Sequence, residues 1–139
     1  MDSKPLFILV IDDESGFHDL FDFLLTPLGI AVHGAESAKE ALEHIQEQDY
    51  DLVFLDMHMP KEKVNSILQQ LREHRPSIRI ALMSSGQNAE QATRQARINF
   101  GIDLFLQKPF GWEELMGLIE RAVPRSTPDV AVPMAASTP

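Results

Sequence analysis

A chain of 139 residues, 44% of them apolar, has the material for one folded domain with one core. Its formal charge of −9 and pI near 4.9 disfavour binding to phosphate backbones, which draws on clustered Lys and Arg, so no direct contact with nucleic acid is expected. The absence of cysteine excludes disulfides and thiol chemistry and points to a reducing cytoplasm; no apolar stretch approaches the roughly 20 residues that span a bilayer, and the N-terminus has no secretion signal.

In chain order, short apolar runs alternate with segments whose apolar residues recur at the spacing of one helix face. The predicted strands are Phe7 to Ile11, Ile30 to His33, Leu52 to Leu55, Ile78 to Met83 and Leu104 to Leu106. The predicted helices carry the sets Phe17/Leu20/Phe21/Leu24, Ala38/Ala41/Leu42/Ile45, Val64/Ile67/Leu68/Leu71, Ala89/Ala92/Thr93/Ala96 and Leu115/Leu118/Ile119/Ala122. Ser37-Ala38-Lys39-Glu40 reads as a capping box that starts the second helix. The fourth helix, rich in Ala and Gln, is expected to be loosely held. Strict alternation of this kind predicts an α/β fold: a five-stranded parallel sheet with helices on both faces, occupying residues 1–123. From Pro124 to Pro139 four prolines fall in sixteen residues without periodicity, which reads as a disordered tail or linker.

Three of the apolar runs end in charge: Asp12-Asp13 after the first, Asp56 after the third and Lys108 after the fifth. In open parallel sheets function sits beyond the carboxyl ends of the strands, so these residues, with Ser84, converge on one edge. Two carboxylates about 4 Å apart repel by roughly 4 kcal/mol at an effective dielectric near 20. Such a group calls for a cation, and a divalent metal ion beside a reactive aspartate is the natural reading. Taken singly, each residue has a plainer role. Asp12 and Asp13 suit the first turn of a helix, Asp56 a turn before Met59-Pro60, Lys108 a solvated strand end, and Ser84-Ser85-Gly86 a loop.

Taken together, Val10-Ile11-Asp12-Asp13-Glu14, Leu55-Asp56-Met57-His58-Met59-Pro60, Met83-Ser84-Ser85-Gly86 and Phe105-Leu106-Gln107-Lys108-Pro109-Phe110 resemble the receiver domain of two-component response regulators, the chemotaxis regulator type among them. The resemblance runs from about residue 5 to residue 123 and implies a flavodoxin-like (βα)5 fold. It implies a phosphoacceptor at Asp56, charged by a histidine kinase or phosphotransfer protein. Asp13 and Asp56 would be direct Mg²⁺ ligands, with Asp12 holding the ion through water and the His58 backbone carbonyl completing the set. Lys108 and Ser84 would meet the phosphoryl oxygens. Ser84 and Phe105 would form the switch: the hydroxyl moves inward, Phe105 turns in, and a protein-binding surface changes its preference for an effector. A phosphorylation-dependent homodimer is one form such an output takes. The side chain of His58 and Gly86 flank the approach of water and are candidates for setting the lifetime of the acyl phosphate.

Two departures from the family pattern stand out. Val64 occupies a position where many receivers have glycine, which suggests a different loop path after the third strand, and Ser84 stands for the commoner threonine. The other histidines, His18, His33, His44 and His74, read as scattered surface residues. Three further identities compete: the excised receiver of a larger regulator, an aspartyl-nucleophile phosphatase of the haloacid-dehalogenase kind, and a flavodoxin-like cofactor binder. The phosphatase reading needs an acid where His58 stands, and the cofactor reading needs a phosphate-cradling loop where Asp12-Asp13-Glu14 stand. In the receiver reading the chain is not an enzyme toward other substrates, and catalyses only its own phosphorylation and dephosphorylation.

Overall fold

A computed structural model describes residues 5–13, 15–85 and 89–123. Pro124 to Pro139 therefore lie outside the described residues, as do Glu14 and Gly86. The strands are β1 (Phe7–Ile11), β2 (Ala31–Ala35), β3 (Leu52–Asp56), β4 (Ile80–Ser84) and β5 (Leu104–Gln107). They alternate with α1 (Ser15–Leu25), α2 (Ala38–Glu47), α3 (Lys61–His74), α4 (Ala89–Phe100) and α5 (Trp112–Ala122). All pairings are parallel, and the strand order is β2-β1-β3-β4-β5, the flavodoxin-like arrangement.

Alternate residues of each strand feed two apolar layers, as the two-residue period of a strand requires. Leu9, Ile11, Val53, Leu55, Ile80 and Leu82 pack under α2, α3 and α4. Ile8, Val10, Leu52, Phe54, Ala81 and Met83 pack under α1 and α5. The strands are thus apolar on both sides, as expected for a sheet covered on both faces.

The predicted faces of α3 and α5 are the buried ones: Val64, Ile67, Leu68 and Leu71 in the first, Leu115, Leu118, Ile119 and Ala122 in the second. On α1 the face is rotated. Phe21 and Leu25 are fully buried, while Leu20 is exposed to 40%. The helix also displays Phe23 to solvent, so its apolar arc is wide and the sheet takes one side of it. Two strand starts move as well. Ile30 N–H donates to the Leu25 carbonyl, and Ile78 N–H to the Arg75 carbonyl, so both residues belong to turns that precede their strands.

Ser37 Oγ accepts from Glu40 N–H at 3.2 Å, and the Glu40 carboxylate accepts from Glu36 N–H at 2.7 Å. The α2 start is therefore capped from both directions, with the return bond one residue earlier than a strict capping box has it. Gly34 carries no side chain where a Cβ would come within 2.6 Å of the His18 ring, which lets α1 lie close on β2. Among the described residues of α4 only Ala96 is buried, and a cleft of about 330 Å³ lies between α4 and α3. Small side chains fill that interface poorly, in keeping with a loosely held helix.

Candidate functional site

Strand parity sorts the candidate residues. Asp56 continues Leu52 and Phe54 toward the α1 and α5 layer, and Asp12 and Lys108 share the parity of Val10 and Leu106 on that same side. Ser84 continues Ile80 and Leu82 toward the opposite layer, where Phe105 also packs. The charged groups and the proposed switch pair therefore occupy opposite sides of one sheet edge. Because β1 lies between β2 and β3, that edge is also where successive connections diverge.

Asp12, Asp56 and Ser84 are buried, at 2%, 3% and 6% exposure, while Asp13 is exposed. Asp12 N–H donates to the Ala35 carbonyl at 3.0 Å, which ties the end of β1 to the end of β2. Register places Ile11 beside Leu55, and so brings Asp12 and Asp56 to neighbouring strand ends. Lys108 crosses from the end of β5: its ammonium lies 2.9 Å from Asp56 Oδ1. The His58 backbone N–H donates to the same oxygen at 3.1 Å. The Lys108 N–H donates to the Ser84 carbonyl at 2.7 Å, so the lysine backbone is fastened to the strand that carries the candidate hydroxyl. His58 itself points its side chain to an exposed position.

Two buried aspartates at neighbouring strand ends offer hard oxygen donors, and this donor chemistry suits Mg²⁺. No group of three or more acidic or histidine side chains among the described residues is assembled to hold a metal. Mg²⁺ keeps several waters and needs only one or two carboxylates from a protein. The residues present therefore fit the ion.

Beneath the lysine runs a series of aromatic rings. Lys108 Nζ stands 4.2 Å from the Phe17 ring centroid. Phe17 stacks on Phe110 at 6.3 Å, Phe110 meets Phe21 edge-on at 5.9 Å, and Phe21 meets Phe54 edge-on at 4.8 Å. Sequence reasoning placed Phe17 only on a core-facing helix stripe, and nothing in its spacing marks it as a neighbour of Lys108.

Phe105, half-buried, has the Arg97 guanidinium of α4 at 5.3 Å from its ring centroid. Gly86 lies outside the described residues, and its proposed part in phosphoryl lifetime with it.

Two of the histidines are not scattered. His33 Nδ1 and Tyr50 Oη lie 2.5 Å apart, and Tyr50 Oη is 3.3 Å from His44 Nδ1. The imidazoles stack at 5.6 Å between centroids. Burial, then the neighbouring His44 and His18, hold His33 below the usual imidazole range. Burial, then Glu47, pushes the Tyr50 phenol up to about 12. The β2 strand, the α2 helix and the link from α2 to β3 bring these rings together, and no sequence spacing announces it.

A family model of the response regulator receiver domain matches residues 8–120. The chain is 31% identical over 125 residues to Response regulator MprA of Mycolicibacterium vanbaalenii, covering 90% of this chain and 53% of that protein. It is 30% identical over 126 residues to the DNA-binding transcriptional regulator NtrC of Azospirillum brasilense, covering 91% of this chain and 26% of that one. The chain thus spans about half or less of the length of these curated relatives. Among solved structures, the receiver domain of NtrX from Brucella abortus matches with a TM-score of 0.74 and 30% identity, over 86% of this chain and 99% of that one. The receiver domain protein from Clostridium thermocellum also matches with a TM-score of 0.74 and 30% identity, over 86% and 95%. No helix among the described residues is long and apolar enough to cross a membrane. With the motifs, the parallel sheet and its edge in agreement with these relatives, the phosphatase and cofactor-binder readings fall away, and the chain belongs to the response regulator receiver domain family.

Proposed function

We propose that Asp56 is the phosphoacceptor of this receiver, taking a phosphoryl group from a histidine kinase or phosphotransfer protein in the cytoplasm. The observation that carries this reading is the Lys108–Asp56 pair at the strand ends, its carboxylate partner buried, with Asp12 at the neighbouring strand end. Receiver domains generally use Mg²⁺ for phosphorylation and interact with histidine kinases and effectors. Here Asp12, Asp13, Asp56 and the His58 backbone carbonyl would hold the ion, which when bound supplies charge neutralisation at the phosphoryl oxygens.

An Asp56 carboxylate oxygen forms a bond to phosphorus as the bond to the donor's imidazole nitrogen breaks. The departing imidazole then takes a proton from solvent. The product is an acyl phosphate, with the attacking oxygen drawn from the carboxylate that Lys108 pairs with. Lys108 stands at Asp56 before transfer and follows the new charge as a point cation. The hydroxyl of Ser84 donates to another phosphoryl oxygen from the opposite side of the sheet edge. Its neighbour Phe105, with Arg97 over the ring, relays the change to the surface of α4, β5 and α5, where an effector or a second phosphorylated copy binds. His58 and Gly86 set how long the acyl phosphate lasts.

The share of MprA and NtrC that the chain covers favours a second context for the same chemistry, in which this receiver governs a longer regulator. Incubation with acetyl phosphate and Mg²⁺, followed by intact mass, tests the central reading. One phosphoryl group is expected on the parent chain and none on Asp56→Asn or after chelation of Mg²⁺. Modification that persists in Asp56→Asn places the site elsewhere.

A further inference from the structure

The aromatic rings that run from Phe54 to Phe17 join the two partners of the ion pair by a second route. Phe54 lies two residues before Asp56 on β3, and Phe110 lies two residues after Lys108. Between them stand Phe21 and Phe17 of α1, each in ring contact with Phe110. Phe17 then turns its face to Lys108 Nζ at 4.2 Å, well within the distance at which a ring quadrupole attracts a cation. The Lys108 side chain is 14% exposed, so this attraction is only partly screened by water. A lysine ammonium sits on a flexible four-carbon stem and has many rotamers to lose. The Phe17 ring and the Asp56 carboxylate 2.9 Å away both attract it, which favours the rotamer that meets both.

We propose that Phe17 is a positioning residue for phosphoryl transfer, holding the Lys108 ammonium at Asp56 through its ring face. This rests on the assignment of Asp56 as acceptor and Lys108 as its cation. A cation fixed before the donor arrives needs no reorganisation as charge moves onto the acceptor side. Phe17 touches neither the phosphoryl group nor Asp56 in this account; it acts through Lys108.

The test measures the rate of phosphorylation of the whole chain by acetyl phosphate and Mg²⁺, a small donor that excludes any effect of a docked kinase. Phe17→Leu is expected to slow the reaction about three- to tenfold, and Phe17→Tyr to restore it. Incorporation of progressively fluorinated phenylalanine at position 17 keeps the ring's shape and drains its face of negative potential, so the rate should fall stepwise with fluorine count. In a Lys108→Ala background the same changes should have no further effect. A rate indifferent to fluorination, or an equal loss from Phe17→Leu with and without Lys108, overturns the proposal and leaves Phe17 as packing. If Asp56→Asn is still modified, or Lys108→Ala reacts at the parent rate, the assignment beneath it fails instead, and the positioning role falls with it.

Discussion

Lys108 Nζ and Asp56 Oδ1 stand 2.9 Å apart although 52 residues of chain separate them. The sheet brings them together: β4 lies between β3 and β5, and both residues follow strand positions that face α1 and α5. Removal of the ammonium leaves the Asp56 carboxylate 3% exposed without its fixed cation. Lys108→Ala is therefore expected to slow phosphorylation by acetyl phosphate on the order of 100-fold, the usual cost of deleting one preorganised charge-stabilising donor. Arg in its place should not restore the rate, because the planar guanidinium is bulkier and is hydrated differently. Stopped-flow or mass-detected kinetics measure both variants.

His58 reaches Asp56 through its backbone N–H, and its side chain is exposed. His58→Ala keeps the backbone donor and removes only an exposed imidazole. We predict an unchanged rate of phosphorylation with a changed lifetime of the acyl phosphate, followed by the decay of phosphorylated chain after removal of donor. Equal lifetimes for variant and parent would sink the idea.

Arg72 ties three parts of the chain together. Its guanidinium donates to the carbonyls of Phe100 at 3.0 Å, Pro76 at 3.3 Å and Ile78 at 2.5 Å. These bonds close the end of α4 and the turn before β4 onto α3. Arg72→Ala leaves those carbonyls to water or to no partner, and the expected loss of stability is about 2 to 4 kcal/mol. Urea unfolding reads it as a lower midpoint at unchanged slope.

The His33–Tyr50–His44 cluster makes stability depend on pH from both sides. Burial, then the neighbouring His44 and His18, lower the His33 pKa, so as pH falls below the ordinary value of 6.5 the unfolded chain takes up the proton first. The contribution of neutral His33 is complete above that pH and is lost on acidification. Tyr50 behaves in the opposite sense. Its folded pKa of about 12 exceeds the ordinary 10.0, so its contribution is complete below pH 10.0 and declines as pH rises toward 12. Tyr50→Phe should flatten the alkaline limb of a plot of urea midpoint against pH; an alkaline limb of parental depth in that variant contradicts this.

The Ser37 hydroxyl caps α2 by accepting from Glu40 N–H. Ser37→Ala is expected to cost about 1 kcal/mol, and Ser37→Gly or Ser37→Asp less. Thermal or urea unfolding distinguishes them.

Much of the site was legible because its charges end apolar runs, and an apolar run of strand length shows where a parallel strand stops. Asp12, Asp56 and Lys108 could be placed at one edge on that basis alone. The α3 and α5 faces were legible for a related reason: polar residues bound their apolar stripes on each side. The face of α1 was not, since Phe17, Leu20, Phe21, Phe23, Leu24 and Leu25 form an arc too wide for periodicity to choose its buried side. The starts of β2 and β4 were set by turn hydrogen bonds to Leu25 and Arg75, which apolar composition does not encode. Phe17 beneath Lys108, and His33 against Tyr50, depend on elements distant in sequence. Such contacts come from the packing of layers, and local spacing is silent about them.

The location of the acyl phosphate tests the account most directly. After reaction with acetyl phosphate and Mg²⁺, borohydride reduction converts a phosphorylated aspartate to homoserine, which peptide sequencing by mass places in the chain. Homoserine at position 56, and at no other aspartate, is the predicted result; homoserine at Asp12 or Asp13 with Asp56 intact contradicts the assignment.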